Sequence, residues 1–202
     1  MHVIALTGGI GAGKSTAAEV FRSRGAAVLS LDDIGRRQLE PGTPVFQQVV
    51  AAFGRGIVDA EGRIDARALA RTAFRSRESV EILNEIMHPA ILREVESRLR
   101  DLELHPDPPT VVVIEVPLLV ESPALAALAG RVLAISAPEE VRISRATAAG
   151  LDEDDARARL LCQASDADRA AIADDVIAND GSPEEFRAAL ERYWDEVVAH
   201  AP

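Results

Sequence analysis

Short apolar runs alternate with longer amphipathic stretches along the 202-residue chain. Five of the short runs predict strands of a buried parallel sheet, at residues 3–7, 26–30, 111–115, 131–136 and 175–178. The first stretch with helical composition, residues 15–24, stops at Gly25, and glycine commonly ends helices. Because strands that alternate with helices form βαβ units, the pattern predicts an α/β fold with a parallel sheet.

Further helical patterns occupy residues 44–53, 66–74, 80–87, 90–104, 138–148, 154–164 and 183–198. His88 and Pro89 separate two of them, because proline breaks a helix and suits the first position of a new one. Roughly eighty residues separate the second strand from the third, far more than one crossover needs. We therefore predict a core of residues 1–33, 105–137 and 173–202, a helical substrate-binding insertion at 34–104, and a helical lid at 138–172.

A glycine-rich segment follows the first strand and matches the phosphate-loop pattern G-x-x-x-x-G-K-[ST]. The segment consists of Gly8, Gly9, Ile10, Gly11, Ala12, Gly13, Lys14 and Ser15, with Thr16 next. Glycines let successive backbone N–H groups point at one phosphate, and the N-terminus of the next helix adds partial positive charge. Lys14 can reach the β- and γ-phosphates of a nucleotide, and the Ser15 hydroxyl can ligate Mg²⁺. The segment therefore predicts a nucleotide-binding site.

Charge and composition narrow the possible partners. The formal net charge is −11, so binding to bulk nucleic acid, which needs a basic surface, is not expected. A local pocket can still attract a small anion. Lys14 is the only lysine, so any function that requires lysine depends on this residue.

The compartment is also constrained by composition. Cys162 is the only cysteine, which excludes an internal disulfide and fits a reducing cytoplasm. No basic segment precedes the first apolar run, and no run approaches the roughly 20 residues of a spanning helix. We expect a cytoplasmic protein that does not insert into membranes.

A phosphate loop by itself is shared by kinases, GTPases and motor ATPases. A guanine-specific N/T-K-x-D segment is excluded, because the single lysine belongs to the loop. The insertion and the lid favour a small-molecule kinase, since a lid keeps water away from the phosphoryl group during transfer.

Further segments stand in order after ALTGGIGAGKST: EPGTP at 40–44, LNEIMHPAI at 83–91, VPLLVES at 116–122, RARLLCQAS at 157–165 and ADDVIANDGS at 173–182. Together they resemble the dephospho-CoA kinase family over nearly the whole chain. The resemblance implies a three-layer α/β/α P-loop NTPase core with a five-stranded parallel sheet, a helical CoA-binding domain and a helical lid. It also implies transfer of the ATP γ-phosphoryl group to the ribose 3′-hydroxyl of dephospho-CoA, the last step of coenzyme A synthesis.

Carboxylates near the strand ends are the candidates for chemistry. The resemblance implies that Asp32 faces the acceptor hydroxyl as its base; the alternative is a helix N-cap, a role that Asp33 could equally fill. Where the family usually carries an aspartate two residues earlier, this chain has Ser30. Glu115 closes the third strand and could act on Mg²⁺ through water or be structural.

The resemblance also implies residues that line the site of the acceptor substrate: His88, Pro117, Leu118, Leu119 and Glu121. For His88 the alternative is a structural role at the helix break. For Glu121 the alternative is a solvated loop acid.

The lid of the family carries two arginines about one turn apart that can clamp the phosphates of ATP. The candidates here are Arg142 and Arg145, and one expected arginine is missing or shifted, because the next turn reads ATAA. Arg159 and Gln163 are predicted to share one helix face and match the later R-x-x-x-Q of the lid. Asn179 resembles the family residue that flanks the adenine.

Two other functions remain open beside an ATP-dependent dephospho-CoA kinase. One is another P-loop kinase that acts on nucleosides or nucleotides. The other is a nucleotide-binding module that has lost catalysis, which Ser30 and the altered lid suggest. The acceptor that the protein phosphorylates distinguishes the three.

Overall fold

The computed structural model describes residues 1–117, 119–120 and 123–199. Strands of this part form one parallel sheet: β1 (His2–Gly8), β2 (Ala27–Ser30), β3 (Val111–Glu115), β4 (Arg131–Ser136) and β5 (Asp175–Ala178). Their order across the sheet is β2-β3-β1-β4-β5, which places β1 at the centre. The predicted α/β class, with five parallel strands in a three-layer arrangement, is confirmed.

Helices fill most of the remaining described chain: α1 (Lys14–Ser23), α2 (Leu31–Gln38), α3 (Pro44–Phe53), α4 (Ala66–Ala73), α5 (Arg77–Glu103), α6 (Pro123–Ala126), α7 (Glu139–Ala148), α8 (Glu153–Cys162), α9 (Asp166–Ile172) and α10 (Pro183–Ala199). A 3-10 turn covers Arg55–Ile57. Within the residues described, no helix is long and apolar enough to cross a bilayer.

The central strands of the sheet are buried on both faces, as expected for parallel strands that consist of continuous apolar runs, whereas the edge strand β5 is partly exposed. Alternate residues of the central strands, such as Ile4, Val113 and Leu133, pack into one core cluster with α1 and α10. Their neighbours Ala5 and Val112 point to the other face and are also buried.

Helix α1 ends as the sequence predicts. Gly25 has a φ of 100°, a left-handed conformation that favours glycine. The N–H of Ala26 donates to Phe21 O at 3.0 Å, and the N–H of Gly25 donates to Arg22 O at 3.1 Å. These two bonds satisfy carbonyls that the helix end would otherwise leave unpaired.

The predicted break at Pro89 is wrong, because α5 continues through this residue. Proline removes one backbone N–H donor and its ring crowds the preceding turn, at a cost of about 3 kcal/mol. Burial on either side of the proline offsets this cost. Ala90, Leu83 and Met87 all pack in the cluster around Val49.

Two other local predictions also need correction. The N-cap alternative for Asp32 and Asp33 is wrong, because helix α2 begins at Leu31 and both residues lie in its first turn. Carboxylates there interact favourably with the helix dipole. Helix α9 lies within the predicted helical lid but was not predicted as a separate helix; a capping box between Ser165 and Asp168 starts it.

The chain divides into two compact units, one of residues 1–30 and 102–202 and one of residues 31–101. The first unit contains the sheet, the phosphate loop and the residues 138–172, which we call the lid segment. The second unit has an apolar cluster of its own, built from Val45, Val49, Ile57, Leu69, Ala73 and Ala90.

Candidate active site

The phosphate loop, residues 8–16, runs from the last residue of β1 into the first turn of α1. Gly11 and Gly13 adopt φ values of 70° and 110°, which side-chain-bearing residues rarely reach. Glycine is also needed for space: a Cβ at Gly11 would collide with the Arg142 carbonyl, and one at Gly13 would collide with the Asn179 amide. The close approach of the lid segment and of residue 179 therefore requires the glycine pattern of the loop.

Lys14 folds back over the loop that precedes it. Its Nζ donates to Gly8 O at 2.8 Å and to Gly9 O at 3.0 Å. Helix α1 begins at Lys14, with Gly13 at its N-cap and without an acidic residue in its first turn. Its first N–H groups carry partial positive charge, so this end of the helix suits an anion such as a phosphate.

Oxygen donors suitable for Mg²⁺ lie at Ser15 and Glu115. Ser15 is exposed in the first turn of α1, and Glu115 is the last residue of β3, in register with Leu6 and Ser30. In the described ranges, no group of three or more His, Cys, Asp or Glu residues is placed to hold a metal. A hydroxyl and a carboxylate fit Mg²⁺, which usually keeps several waters and takes substrate phosphates as its other ligands.

The lid segment holds the peptide groups of Ile10 from both sides. The Ile10 N–H donates to Gln163 Oε1 at 3.1 Å, and Arg142 Nε donates to Ile10 O at 3.1 Å. Arg142 is only 5% exposed. Burial lowers the pKa of its guanidinium, and Asp166 opposes this effect. An arginine nevertheless stays protonated at neutral pH.

Arg145 and Asn179 form a second contact with the loop. Asn179 is 5% exposed, and its Nδ2 donates to Ala12 O at 2.8 Å. Arg145 donates to Asn179 O at 3.1 Å and to Asn179 Oδ1 at 3.2 Å. Arg145 is therefore linked to the loop indirectly, through Asn179, and its side chain is half-buried.

Arg159 and Gln163 do not share a helix face, contrary to the sequence prediction. Helix α8 ends at Cys162, and Gln163 is extended at φ −92° and ψ 153°. The extended backbone directs the Gln163 side chain to the loop, whereas Arg159 stays exposed on the helix. The spacing suggested one face because it assumed one uninterrupted helix.

The residues expected to bind the acceptor have varied surroundings. Asp32 is exposed in the first turn of α2, and His88 is exposed on α5. Pro117 is half-buried after β3, whereas Leu119 is 1% exposed, so its side chain serves the interior and offers no surface to a substrate. Leu118 and Glu121 lie outside the described residues.

Sequence reasoning missed two residues next to the site. Asp166 Oδ1 accepts from Arg142 Nη1 at 3.0 Å and from Arg169 Nη1 at 3.1 Å. The three-residue spacing of Asp166 and Arg169 predicts an ion pair along a helix, but it does not say whether that pair is buried or lies on the surface. Only the burial of Arg169, which is 2% exposed, distinguishes the two.

A phosphate loop after the central strand of this sheet, contacted by side chains of a helical lid segment, defines a P-loop kinase. Shikimate kinase from Acinetobacter baumannii shares the fold, with a TM-score of 0.57 over 98% of this chain and 94% of that one, at 15% identity. The structure of TT1252 from Thermus thermophilus has a TM-score of 0.82 and 32% identity, over 97% of each chain.

Sequence comparison identifies the particular kinase. A profile of the dephospho-CoA kinase family matches residues 2–185. Dephospho-CoA kinase of Corynebacterium diphtheriae is 41% identical over 200 residues, which are 98% of each chain. The dephospho-CoA kinase structure from Campylobacter jejuni has a TM-score of 0.72 and 27% identity, covering 98% of this chain and 97% of that one. The chain belongs to the dephospho-CoA kinase family.

The family assignment confirms the function expected from the sequence. The enzyme is an ATP-dependent phosphotransferase that phosphorylates the ribose 3′-hydroxyl of dephospho-CoA and gives coenzyme A and ADP, the last step of coenzyme A biosynthesis. Neither the nucleoside kinase nor the inactive binding module gains support from these relatives.

Proposed function

We propose that the phosphate loop, residues 8–16, binds the triphosphate of ATP and that Lys14 holds its β- and γ-phosphates. The observation that carries this proposal is the position of the Lys14 ammonium, within 3.0 Å of two loop carbonyls and beside the uncapped N-terminus of α1. Both features present positive charge at one place. That charge stabilises the negative charge on the phosphoryl oxygens during transfer.

Ser15 is the direct protein ligand that we propose for Mg²⁺, and Glu115 acts on the ion through water. Their oxygen chemistry supports this assignment. When bound, Mg²⁺ neutralises charge on the β- and γ-phosphates and orients their oxygens. Ser15 and Glu115 need only present oxygens, because phosphates and water supply the other ligands.

Asp32 orients the 3′-hydroxyl of dephospho-CoA and accepts its proton as the hydroxyl attacks the γ-phosphorus in line. Its exposure and its place two residues after β2 support this role, because the carboxyl ends of parallel strands carry ligand-binding groups. An aspartate is a weak base, so most of its contribution is the orientation of the hydroxyl.

Residues 34–104 bind dephospho-CoA in this proposal, with His88 near the bound molecule and Pro117 beside it. Residues 138–172 act as the lid, and Arg145 supplies charge to the ATP phosphates. The half-buried guanidinium of Arg145, anchored on Asn179, supports this assignment. Asn179 is the residue that we propose beside the adenine. Its Nδ2 already donates to Ala12 O, so the rest of its side chain would contact the base. Cys162 is exposed and unpaired, which is consistent with a reducing cytoplasm.

A coupled assay for ADP release tests the proposal. We expect ADP production when dephospho-CoA and MgATP are both present, and only slow hydrolysis when the acceptor is withheld. EDTA should remove the activity, and added Mg²⁺ should restore it. Phosphorylation of nucleosides in preference to dephospho-CoA, or activity that survives EDTA, would contradict the assignment.

Asp32→Asn tests the role of the carboxylate. We expect kcat to fall about 100-fold, with ATP affinity unchanged, because the amide cannot accept the proton. The matched control is Asp33→Asn: Asp33 is also exposed in the first turn of α2 and pairs with Arg36. Equal effects of the two substitutions, measured as kcat and as ATP affinity by calorimetry, would exclude a catalytic role for Asp32.

A further inference from the structure

A charge cluster next to the phosphate loop consists of two buried arginines, Arg142 on α7 and Arg169 on α9, with the half-buried Asp166 on α9. We call it the arginine cluster. The two guanidinium groups share one carboxylate oxygen, Asp166 Oδ1, at 3.0 and 3.1 Å. Arg142 is 5% and Arg169 2% exposed, so both cations lie within the folded unit.

The arginine cluster carries more positive than negative charge. Arg142 and Arg169 share the carboxylate of Asp166, and the other acids that act on them, Glu139 on Arg142 and Asp168 on Arg169, are exposed to solvent. Among the residues described, Nη2 of Arg169 is buried without a hydrogen-bond partner. Burial of an uncompensated charge is unfavourable, so a surplus cation at this depth calls for a partner that is negatively charged.

The arginine cluster is joined directly to the phosphate loop. Arg142 Nε donates to Ile10 O, and the guanidinium lies so close to Gly9 that a Cβ at this residue would collide with it. On the other side of the loop chain, Lys14 Nζ donates to Gly8 O and Gly9 O. Three successive loop carbonyls, at residues 8, 9 and 10, therefore accept hydrogen bonds from cationic side chains.

The orientation of these carbonyls matters to an anion in the loop. Carbonyl oxygens repel phosphate oxygens, whereas the N–H groups of the same loop attract them. A cation that holds a carbonyl oxygen keeps that oxygen away from the phosphates. Gln163 fixes the other side of the Ile10 residue by accepting its N–H at 3.1 Å.

We propose that Arg142, held by Asp166 and supported by Arg169, is a positioning residue for the phosphates of ATP: it fixes the Ile10 carbonyl and supplies the surplus charge of the cluster through the loop, without contact with the nucleotide. This inference rests on the proposed binding of ATP at the loop. It assigns Asp166 and Arg169 a part in that site, and it gives Arg142 a role different from that of Arg145.

Nucleotide affinities measured by calorimetry on the full chain test the proposal. Arg142→Gln retains a donor for Ile10 O but removes the charge, and Arg142→Lys retains the charge. We expect Arg142→Gln to weaken ATP about 20-fold, ADP about 5-fold and AMP less than about 2-fold, because the effect grows with the charge of the ligand. Arg142→Lys should recover most of the loss. The control is Arg157→Gln, which removes a partly exposed lid arginine paired with Glu140 and Glu153 and should bind as the unmodified protein does.

Asp166→Asn separates charge from mechanical support. The amide oxygen still accepts from both arginines, and only the long contact of Oδ2 with the Ala137 N–H, at 3.4 Å, is lost. The surplus charge rises, so we expect ATP to bind about 3-fold tighter at low salt and the gain to fade as salt is added. A purely structural role predicts unchanged or weaker binding. A uniform loss across ATP, ADP and AMP in Arg142→Gln, or no tightening in Asp166→Asn, would overturn the proposal.

Two further measurements keep these outcomes distinct. Thermal melting establishes whether each variant folds; if Arg142→Gln does not, the sign of the Asp166→Asn effect decides. ATP binding by the unmodified chain is measured first, because its absence would contradict the proposed ATP site itself. Binding by the unmodified chain together with unchanged affinities in the variants would contradict only the role of the arginine cluster.

Discussion

The phosphate loop and the lid segment contact one another, yet they place their functional groups by different means. The loop presents backbone N–H groups and one lysine within nine consecutive residues, 8–16. The lid segment presents side chains from three helices and their ends, namely Arg142 and Arg145 on α7, Gln163 after α8, and Asp166 and Arg169 on α9. The positions of the backbone N–H groups in the loop depend on the local sequence. The positions of the lid side chains depend on how the three helices pack.

This difference implies different sensitivities to substitution. Backbone donors are insensitive to side-chain changes except where glycine is required, and Lys14 is the one side chain of the loop with a cationic head. The lid side chains reach the loop through several linked hydrogen bonds, so each of them contributes only part of the effect on ATP binding. We therefore expect large losses at Lys14 and graded losses in the lid segment.

The largest effect is expected at Lys14. Lys14→Ala removes the ammonium that bonds Gly8 O and Gly9 O, and we expect kcat/KM to fall about 10³-fold or more in the ADP-release assay. Lys14→Arg tests whether positive charge alone suffices in a chain that otherwise uses arginine. A planar guanidinium does not replace a compact ammonium, so this variant should recover little activity. Near-normal activity of either variant would contradict the expectation that substitutions in the loop reduce activity more than substitutions in the lid segment.

An intermediate effect is expected where the lid segment meets the loop through Asn179. Arg145→Ala and Asn179→Ala should each raise KM for ATP about 10-fold, because Arg145 is anchored by two hydrogen bonds on Asn179. The double variant should be little worse than either single one, since residues that share a contact are not additive. Full additivity in this cycle would show that Arg145 acts independently of its anchor.

The smallest effect is expected at Arg159. Its side chain is exposed on α8, and we expect Arg159→Ala to change kcat and KM less than about 3-fold. The relevant comparison is with Arg145→Ala in the same assay. Equal and mild effects of the two would argue against a single phosphate-clamping arginine, and a larger effect of Arg159→Ala would reverse the assignment.

Most of the scaffold could be predicted from local patterns. The strands were found because a strand buried on both faces is a short apolar run, and Gly25 was found because a left-handed helix end favours glycine. The break at Pro89 was predicted wrongly because the local cost of proline is visible in the sequence, whereas the burial of Ala90 and Met87 that offsets it is not.

The lid segment shows the same limit in its side chains. The R-x-x-x-Q spacing suggested that Arg159 and Gln163 act together, but the end of α8 at Cys162 separates them. The arginine cluster left no recognisable signal, because an aspartate and an arginine three residues apart also describe an ordinary surface ion pair. Burial of Arg169 and Arg142 makes the difference, and burial depends on how α7 and α9 pack on the rest of the unit.

The sequence by itself determined the α/β class, the phosphate loop with its single lysine, and the family to which the enzyme belongs. These depend on residue type and spacing within short segments, where the backbone conformation follows from the local chain. Only the tertiary structure decided which lid side chains reach the loop, that Ile10 is held on both sides, and that two buried arginines share one carboxylate. The two contacts at Ile10 join residues more than a hundred positions apart, and they arise only when packing against a common core brings the lid segment to the loop.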